Sequence, residues 1–411
     1  MTPPDTPDSF DLAFPGQDLM TMDTTPQLQR LQRLLGYLAQ DPANDLLRRD
    51  AIEHACDVGD VETARRLLDE RAASGALAAL PWGFLSARVA LAHGDVDAAL
   101  HQWDMMACDA EIGAQERSLA ASAAAQLRLR RGGPEAVTEA ARTLAPFIEG
   151  VVAQASLADA AQAAWLRVEH HARHLREGLD WALAREAAGQ LGPEAAGVAS
   201  LIAMDANDVA SSSRLSRMAL ATLPEQGEAL VSAAALSLVE GQPQVALTLN
   251  ERLTAARPAD GRAWTQLGAA RLLTLDLQGA RVAYARATEL MPGHAGSWHG
   301  LAWTMLLLED LVEAERLLDQ ALVVDRNFAE THGALAVIYA RTGRRAMAND
   351  ALRRSRGLDP NNFAAQYAQA LLDHPELPGE EVMALASKLL DGQQLPSGQR
   401  ASSLLRMIRQ L

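Results

Sequence analysis

The chain of 411 residues is poor in cysteine, lysine, aromatic side chains and long apolar runs. Its two cysteines, Cys56 and Cys108, form no CxxC pair, so the sequence predicts neither a disulfide framework nor a cysteine zinc site. Its one lysine, Lys388, follows no glycine loop, which excludes a P-loop. No apolar run approaches membrane-spanning length and the first residues lack the pattern of a signal peptide. We therefore expect a cytoplasmic protein without membrane insertion.

Charge and composition narrow the class of protein further. Acidic residues outnumber basic ones by 52 to 37, so the net charge of −15 repels phosphate backbones, and we expect no nucleic-acid partner. Aromatic residues make up 4% of the chain and alanine about a fifth of it, which favours helices over a barrel or sandwich. Because nearly all basic residues are arginine, the composition indicates a GC-rich, bacterial genome. A chain of this length is too long for one compact core.

Residues 1–26 differ from the remainder. Five prolines interrupt any helix there and five aspartates precede the first arginine, Arg30, so we interpret residues 1–26 as a disordered acidic tail. From residue 27 onward, helical segments are separated by short interruptions that contain Gly, Pro or Asp.

The interruptions recur with a fixed period. Pro224, Pro258 and Pro292 are each 34 residues apart, and Pro360 falls two periods later. In frames of this length that begin at residue 193, the eighth residue is always small: Ser200, Ala234, Gly268, Ala302, Ala336 and Ala370. The twentieth is small in most frames: Ser212, Ala246, Ala280, Ala314 and Ala348. Small residues at both positions let two helices of one repeat approach closely.

One frame carries the whole pattern; it contains Trp264, Leu267, Gly268, Ala280, Tyr284, Ala287 and Pro292. It resembles the tetratricopeptide repeat (TPR) family, whose 34-residue unit reads W-x2-L-G, A-x3-F and P. The resemblance implies an all-α fold, a right-handed α-solenoid of stacked helix-turn-helix pairs with a C-terminal capping helix pair. We predict degenerate TPR-like repeats over 27–190, a regular array over 191–396 and a capping helix over 397–411.

Catalytic motifs are lacking in the sequence, which contains no GxGxxG, HExxH or GxSxG. We predict no enzymatic activity and no cofactor. The one metal-like pattern is His170 and His174, spaced by one helical turn so that both imidazoles could lie on one face. The sequence favours a solvated helix face there, because no third ligand is evident, and a metal-dependent enzyme remains the minor alternative.

The TPR resemblance also implies a binding groove, since helix A of each TPR unit turns positions 2, 5, 9, 12 and 13 toward the concave side. Here these positions are mostly apolar, and they lack the lysines and asparagines with which co-chaperone TPR domains grip a C-terminal carboxylate. We expect a protein partner that contributes a peptide or an amphipathic helix. The predicted groove residues are Leu238, Leu272, His299, Trp303, Leu306, Leu307, Val337 and Tyr367.

The tail contains an apolar motif, Phe10, Leu12 and Phe14, for which a spacer has no use. It could dock on the groove, in cis or through self-association, or be an accident of a loose segment. Two functions fit the whole sequence. The first is a scaffold or adaptor that binds a partner in the apolar groove. The alternative is an assembly or secretion-type chaperone, a holdase for an aggregation-prone subunit in a bacterial secretion, pilus or envelope-biogenesis system.

Overall fold

A computed structural model describes residues 25–74, 80–148 and 158–374 of the chain. Every regular element in these ranges is an α-helix, which confirms the all-α prediction for the described residues. In chain order the helices are α1 (Thr25–Gln40), α2 (Asp45–Asp57), α3 (Val61–Ser74), α4 (Leu80–Ala92), α5 (Val96–Cys108), α6 (Ala114–Arg131), α7 (Pro134–Ile148), α8 (Asp159–His171), α9 (Leu175–Ala187), α10 (Pro193–Asp205), α11 (Val209–Thr222), α12 (Gly227–Val239), α13 (Pro243–Ala256), α14 (Gly261–Leu273), α15 (Leu277–Leu290), α16 (Ala295–Leu307), α17 (Leu311–Val324), α18 (Ala329–Arg341), α19 (Arg345–Leu358) and α20 (Phe363–Asp373).

Aspartates and glycines in the short interruptions determine where the helices begin and end. Four aspartates cap the N-termini of α5, α11, α15 and α17 by accepting a hydrogen bond from the amide three residues ahead: Asp95, Asp208, Asp276 and Asp310. Gly59, Gly94 and Gly343 follow helix ends with positive φ, which glycine adopts without a steric penalty. In a Gly-Asp interruption, the glycine therefore ends one helix and the aspartate caps the next.

The predicted tail and cap lie largely outside the described residues. Helix α1 begins at Thr25, so Pro26 stands in its first turn, where a missing backbone N–H removes no helical hydrogen bond. Residues 1–24, including Phe10, Leu12 and Phe14, are not described, and neither is the capping helix predicted over 397–411. The predictions for the tail and cap stay predictions.

The chain divides into two compact units, Met1–Ala229 and Leu230–Leu411. This boundary differs from the one predicted from the repeats, which become regular after residue 190. The two criteria measure different properties. Among the described helices of both units, none is long and apolar enough to cross a membrane.

The first unit contains a buried ionic contact between helices that are distant in sequence. Arg167 of α8 donates from Nε to Glu228 Oε1 at 2.9 Å and from Nη1 to Glu194 at 3.1 Å. The side chain of Glu228 is 3% exposed, and Gln226 donates to its other oxygen at 2.7 Å. Because a buried carboxylate requires a cation and hydrogen bonds, this contact ties the start of α12 to α8 and α10.

In the second unit, the small residues of the repeat pattern lie where the helices touch. Ala280, Ala302, Ala314, Ala336 and Ala348 are at most 1% exposed and belong to one core. The tryptophan at position 4 is anchored to the preceding interruption: Trp264 Nε1 donates to the carbonyl of Pro258 at 2.8 Å, and Trp298 Nε1 to that of Pro292 at 2.9 Å. Each of these two tryptophans therefore holds its helix against the turn that starts the repeat.

Candidate partner-binding site

The eight predicted groove residues all lie in the second unit, on helices α12, α14, α16, α18 and α20. Leu272 and Trp303 are half-buried and pack against the edge of the core, whereas Leu307 is 43% exposed. His299 and Tyr367 are also half-buried. We call Leu272, His299, Trp303, Leu307 and Tyr367 the apolar strip. Leu238, on α12, is half-buried as well.

Two of the predicted groove residues belong to the core instead. Leu306 is 5% exposed and Val337 is fully buried, so neither presents a surface to a partner. Helix α20 lies close against α18. A Cβ added at Gly333 of α18 would come within 2.3 Å of Asn362 Oδ1 and 2.9 Å of Ala364 Cβ. The lack of a side chain at residue 333 thus permits the close approach that buries α18.

Aromatic rings extend the apolar strip beyond the predicted residues. The His299 ring makes edge contacts with Trp303, at 6.2 Å between centroids, and with Phe328, at 5.5 Å. Phe363 stacks on Tyr367 with centroids 6.3 Å apart and planes nearly parallel. Sequence reasoning missed Phe328 and Phe363, since both precede or begin helix A rather than occupy a groove position. A signal was present, because a phenylalanine is unusual in a polar turn.

Burial decides the charge of the imidazole in this cluster. Nδ1 of His299 is shielded from water and has no hydrogen-bond partner within the described residues. Desolvation lowers the pKa of His299 from its ordinary 6.5 to about 4, because the charged form would lose its hydration. The ring is therefore neutral at pH 7 and contributes to the strip as an aromatic surface.

An ion pair lies beside the strip. Arg341 at the end of α18 binds Glu309 across a distance of 2.5 Å. The pKa of the Tyr367 hydroxyl is raised, mainly by burial. Arg341 opposes this shift and Glu309 adds to it, so both charged groups lie close enough to affect the ring. The strip is thus bordered by charges that are already matched to each other.

The two histidines of the weak metal-like pattern do not lie on one helix. Helix α8 ends at His171, Arg173 adopts a φ of 63°, and His174 occupies the N-cap position of α9 without a capping hydrogen bond from its side chain. His170 binds Asp205 at 2.7 Å, and Nδ1 of His174 lies 3.4 Å from Glu169. The described residues contain no cluster of three or more groups that could hold a metal ion.

Comparison with known proteins identifies the repeat. Residues 276–338 match the family model described as tetratricopeptide repeat. No curated protein matches the chain.

Solved structures show a weaker likeness. A crystal structure of MamA is 17% identical, covers 38% of this chain and 92% of its own, and has a TM-score of 0.35. TTC0263, a thermophilic TPR protein of Thermus thermophilus, is 21% identical, covers 44% of this chain and 99% of its own, and has a TM-score of 0.38. Scores this low transfer no property to this chain. The tetratricopeptide repeat model covers residues 276–338, and the small-residue positions and tryptophan anchors of the second unit follow the same pattern.

Proposed function

We propose that the chain is a non-enzymatic scaffold or adaptor that binds a peptide or amphipathic helix of a partner protein on the apolar strip. The observation that carries the proposal is the open row of apolar and aromatic side chains that helix packing leaves on α14, α16 and α20. Leu307 is 43% exposed although it lies next to the buried Leu306. An exposed apolar side chain beside a cluster of aromatic rings favours a binding surface.

The chemistry of the strip favours an apolar ligand over a charged one. Positions 5 and 9 of α14, α16 and α18 carry no basic side chain other than the imidazole of His299, which is neutral at pH 7. The nearby Arg341 already has Glu309 as its partner. A partner helix with apolar residues at i, i+3, i+4 and i+7 would bury its stripe against these rings without leaving a charge unpaired.

A peptide selection on the full-length chain tests the proposal. Peptides from a displayed random library should be rich in aromatic and aliphatic residues, and should lose binding to Trp303→Ala and to Leu307→Asp. Val312→Ala is the matched control, since Val312 is 83% exposed on α17 and lies outside the strip. Selected peptides that bind the strip variants and the control equally would show that the partner binds elsewhere.

The alternative function, a holdase for an aggregation-prone subunit, would use the same strip with broader specificity. A holdase suppresses the aggregation of several unrelated unfolded proteins at stoichiometric amounts, whereas an adaptor retains one kind of ligand. Suppression that disappears in Trp303→Ala would favour the chaperone. Lack of suppression, together with strip-dependent peptide binding, would favour the adaptor.

A further inference from the structure

A cavity of about 690 Å³, partly open to solvent, lies against helices α5, α6 and α7 of the first unit. Its apolar wall includes Pro146 and Phe147, and its polar wall includes three arginines and two acidic residues. Pro146 lies inside α7 and has no N–H to donate to the carbonyl four residues earlier. The wall therefore offers both apolar and charged groups to a ligand.

The arginines of the cavity are not equally matched. Arg128 donates two hydrogen bonds to Asp104, at 3.0 and 2.6 Å, and lies 3.6 Å from Glu139. Arg117 and Arg142 have no carboxylate partner in the described ranges. Nε of Arg117 is moreover shielded from water without an acceptor. Arg142 is exposed and Arg117 is half-buried, so both guanidinium groups can pair with an anionic group that enters the cavity.

We propose that an acidic, aromatic peptide segment occupies this cavity, and that the segment is residues 8–14 of the same chain. Asp8 and Asp11 would bind Arg117 and Arg142, and a phenylalanine of the segment would cover the apolar wall. Residues 1–24 contain five aspartates and no arginine, lysine or histidine, which makes them the charge complement of the cavity. This inference concerns the first unit and does not depend on the function proposed for the apolar strip.

The length of the tail permits this contact. Residue 14 is eleven residues before Thr25, where α1 begins, and an extended segment of that length spans up to about 37 Å. Helices α1, α2, α4, α5 and α6 pack in succession, and packed helices are about 8–10 Å apart. The apolar strip is a poorer site for the same segment, because the cation beside it, Arg341, is already paired with Glu309.

Cysteine alkylation in the full-length chain tests the contact. Cys108 lines the cavity and is exposed, whereas Cys56 is buried and desolvation raises its pKa to about 11, so that alkylation reports on Cys108. If the tail covers the thiol about nine-tenths of the time, Asp11→Asn and Phe10→Ala should each speed alkylation by up to about tenfold. Asp23→Asn, which removes the same charge outside the segment, should leave the rate unchanged.

A cross-link decides whether the contact is within one chain. Ala13→Cys should form a disulfide with Cys108 when diamide is added, and Thr21→Cys should not. A yield that does not depend on protein concentration supports contact in cis, and covalent dimers that increase with concentration support a second copy as the donor of the segment. Equal alkylation rates in all tail variants, or equal cross-linking at residues 13 and 21, would overturn the proposal.

Discussion

His299 shows how packing sets the charge of a single side chain. The ring lies between the rings of Trp303 and Phe328. Neither of these side chains carries an oxygen that could accept a hydrogen bond from a protonated imidazole. Its depressed pKa follows from lost hydration alone. The residue therefore favours the folded state only while it is neutral.

This leads to a prediction about acid stability. With a pKa near 4 in the folded chain and near 6.5 when unfolded, His299 binds a proton more readily in the unfolded state. Stability from this residue is present above pH 6.5 and falls as the pH drops toward 4, by about 1–2 kcal/mol between pH 7 and 5. Urea unfolding at the two pH values should show a smaller loss in His299→Phe than in the wild type. Equal losses would mean that the imidazole is solvated.

A second prediction concerns Arg167. Arg167→Met leaves the buried Glu228 carboxylate without its cation, and breaking a buried pair in this way costs about 3–5 kcal/mol. Thermal or urea unfolding should show this loss. Glu228→Gln in the same background should recover part of it, because the amide is neutral and keeps the volume. A single substitution that costs less than about 1 kcal/mol would contradict the role given to this contact.

In the second unit, glycines determine how closely adjacent helices pack. Tyr284 of α15 lies between Gly268 of α14 and Gly300 of α16. A Cβ at Gly268 would come within 2.8 Å of the ring, and one at Gly300 within 2.4 Å. Since real Cβ atoms do not approach this closely, the two glycines set how near α14 and α16 come to α15.

Gly300→Ala should therefore destabilise the second unit by about 1–3 kcal/mol through overpacking against the Tyr284 ring. Gly293→Ala is the matched control, since a Cβ there meets nothing within 4 Å and its backbone does not require glycine. The control should be neutral or slightly stabilising because alanine restricts the unfolded chain. Thermal unfolding of both variants measures the difference, and similar midpoints would show that the ring can move aside.

Features that depend on neighbouring residues in sequence were predictable, and features that depend on helix orientation were not. The small residues at positions 8 and 20 follow from the period, because every repeat makes the same contact. Leu306 and Leu307 were predicted as equivalent, yet one is 5% and the other 43% exposed. The rotation of α16 against its neighbours decides between them. The break after His171 depends on a positive φ at Arg173, for which the residue type gives no signal.

In the described part of the second unit, the period of 34 residues explains how the core extends, because successive helix pairs contribute the same small residues to it. Each helix pair buries one face against the next, so the core grows by addition. The same addition leaves one apolar face of the A helices α14, α16 and α20 partly open. The net charge of −15 limits the partner, because an acidic body attracts a ligand with positive charge outside its apolar stripe.

The affinity of the full-length chain for a selected peptide tests whether the apolar strip is the binding surface. Truncating a buried aromatic anchor commonly costs 2 kcal/mol or more, so Trp303→Ala should weaken binding by about 30-fold while the far-ultraviolet circular dichroism stays helical. Val312→Ala should bind within about twofold of the wild type, since an exposed valine outside the contact contributes little. Equal affinities for Trp303→Ala and Val312→Ala would contradict the assignment of the apolar strip as the binding surface.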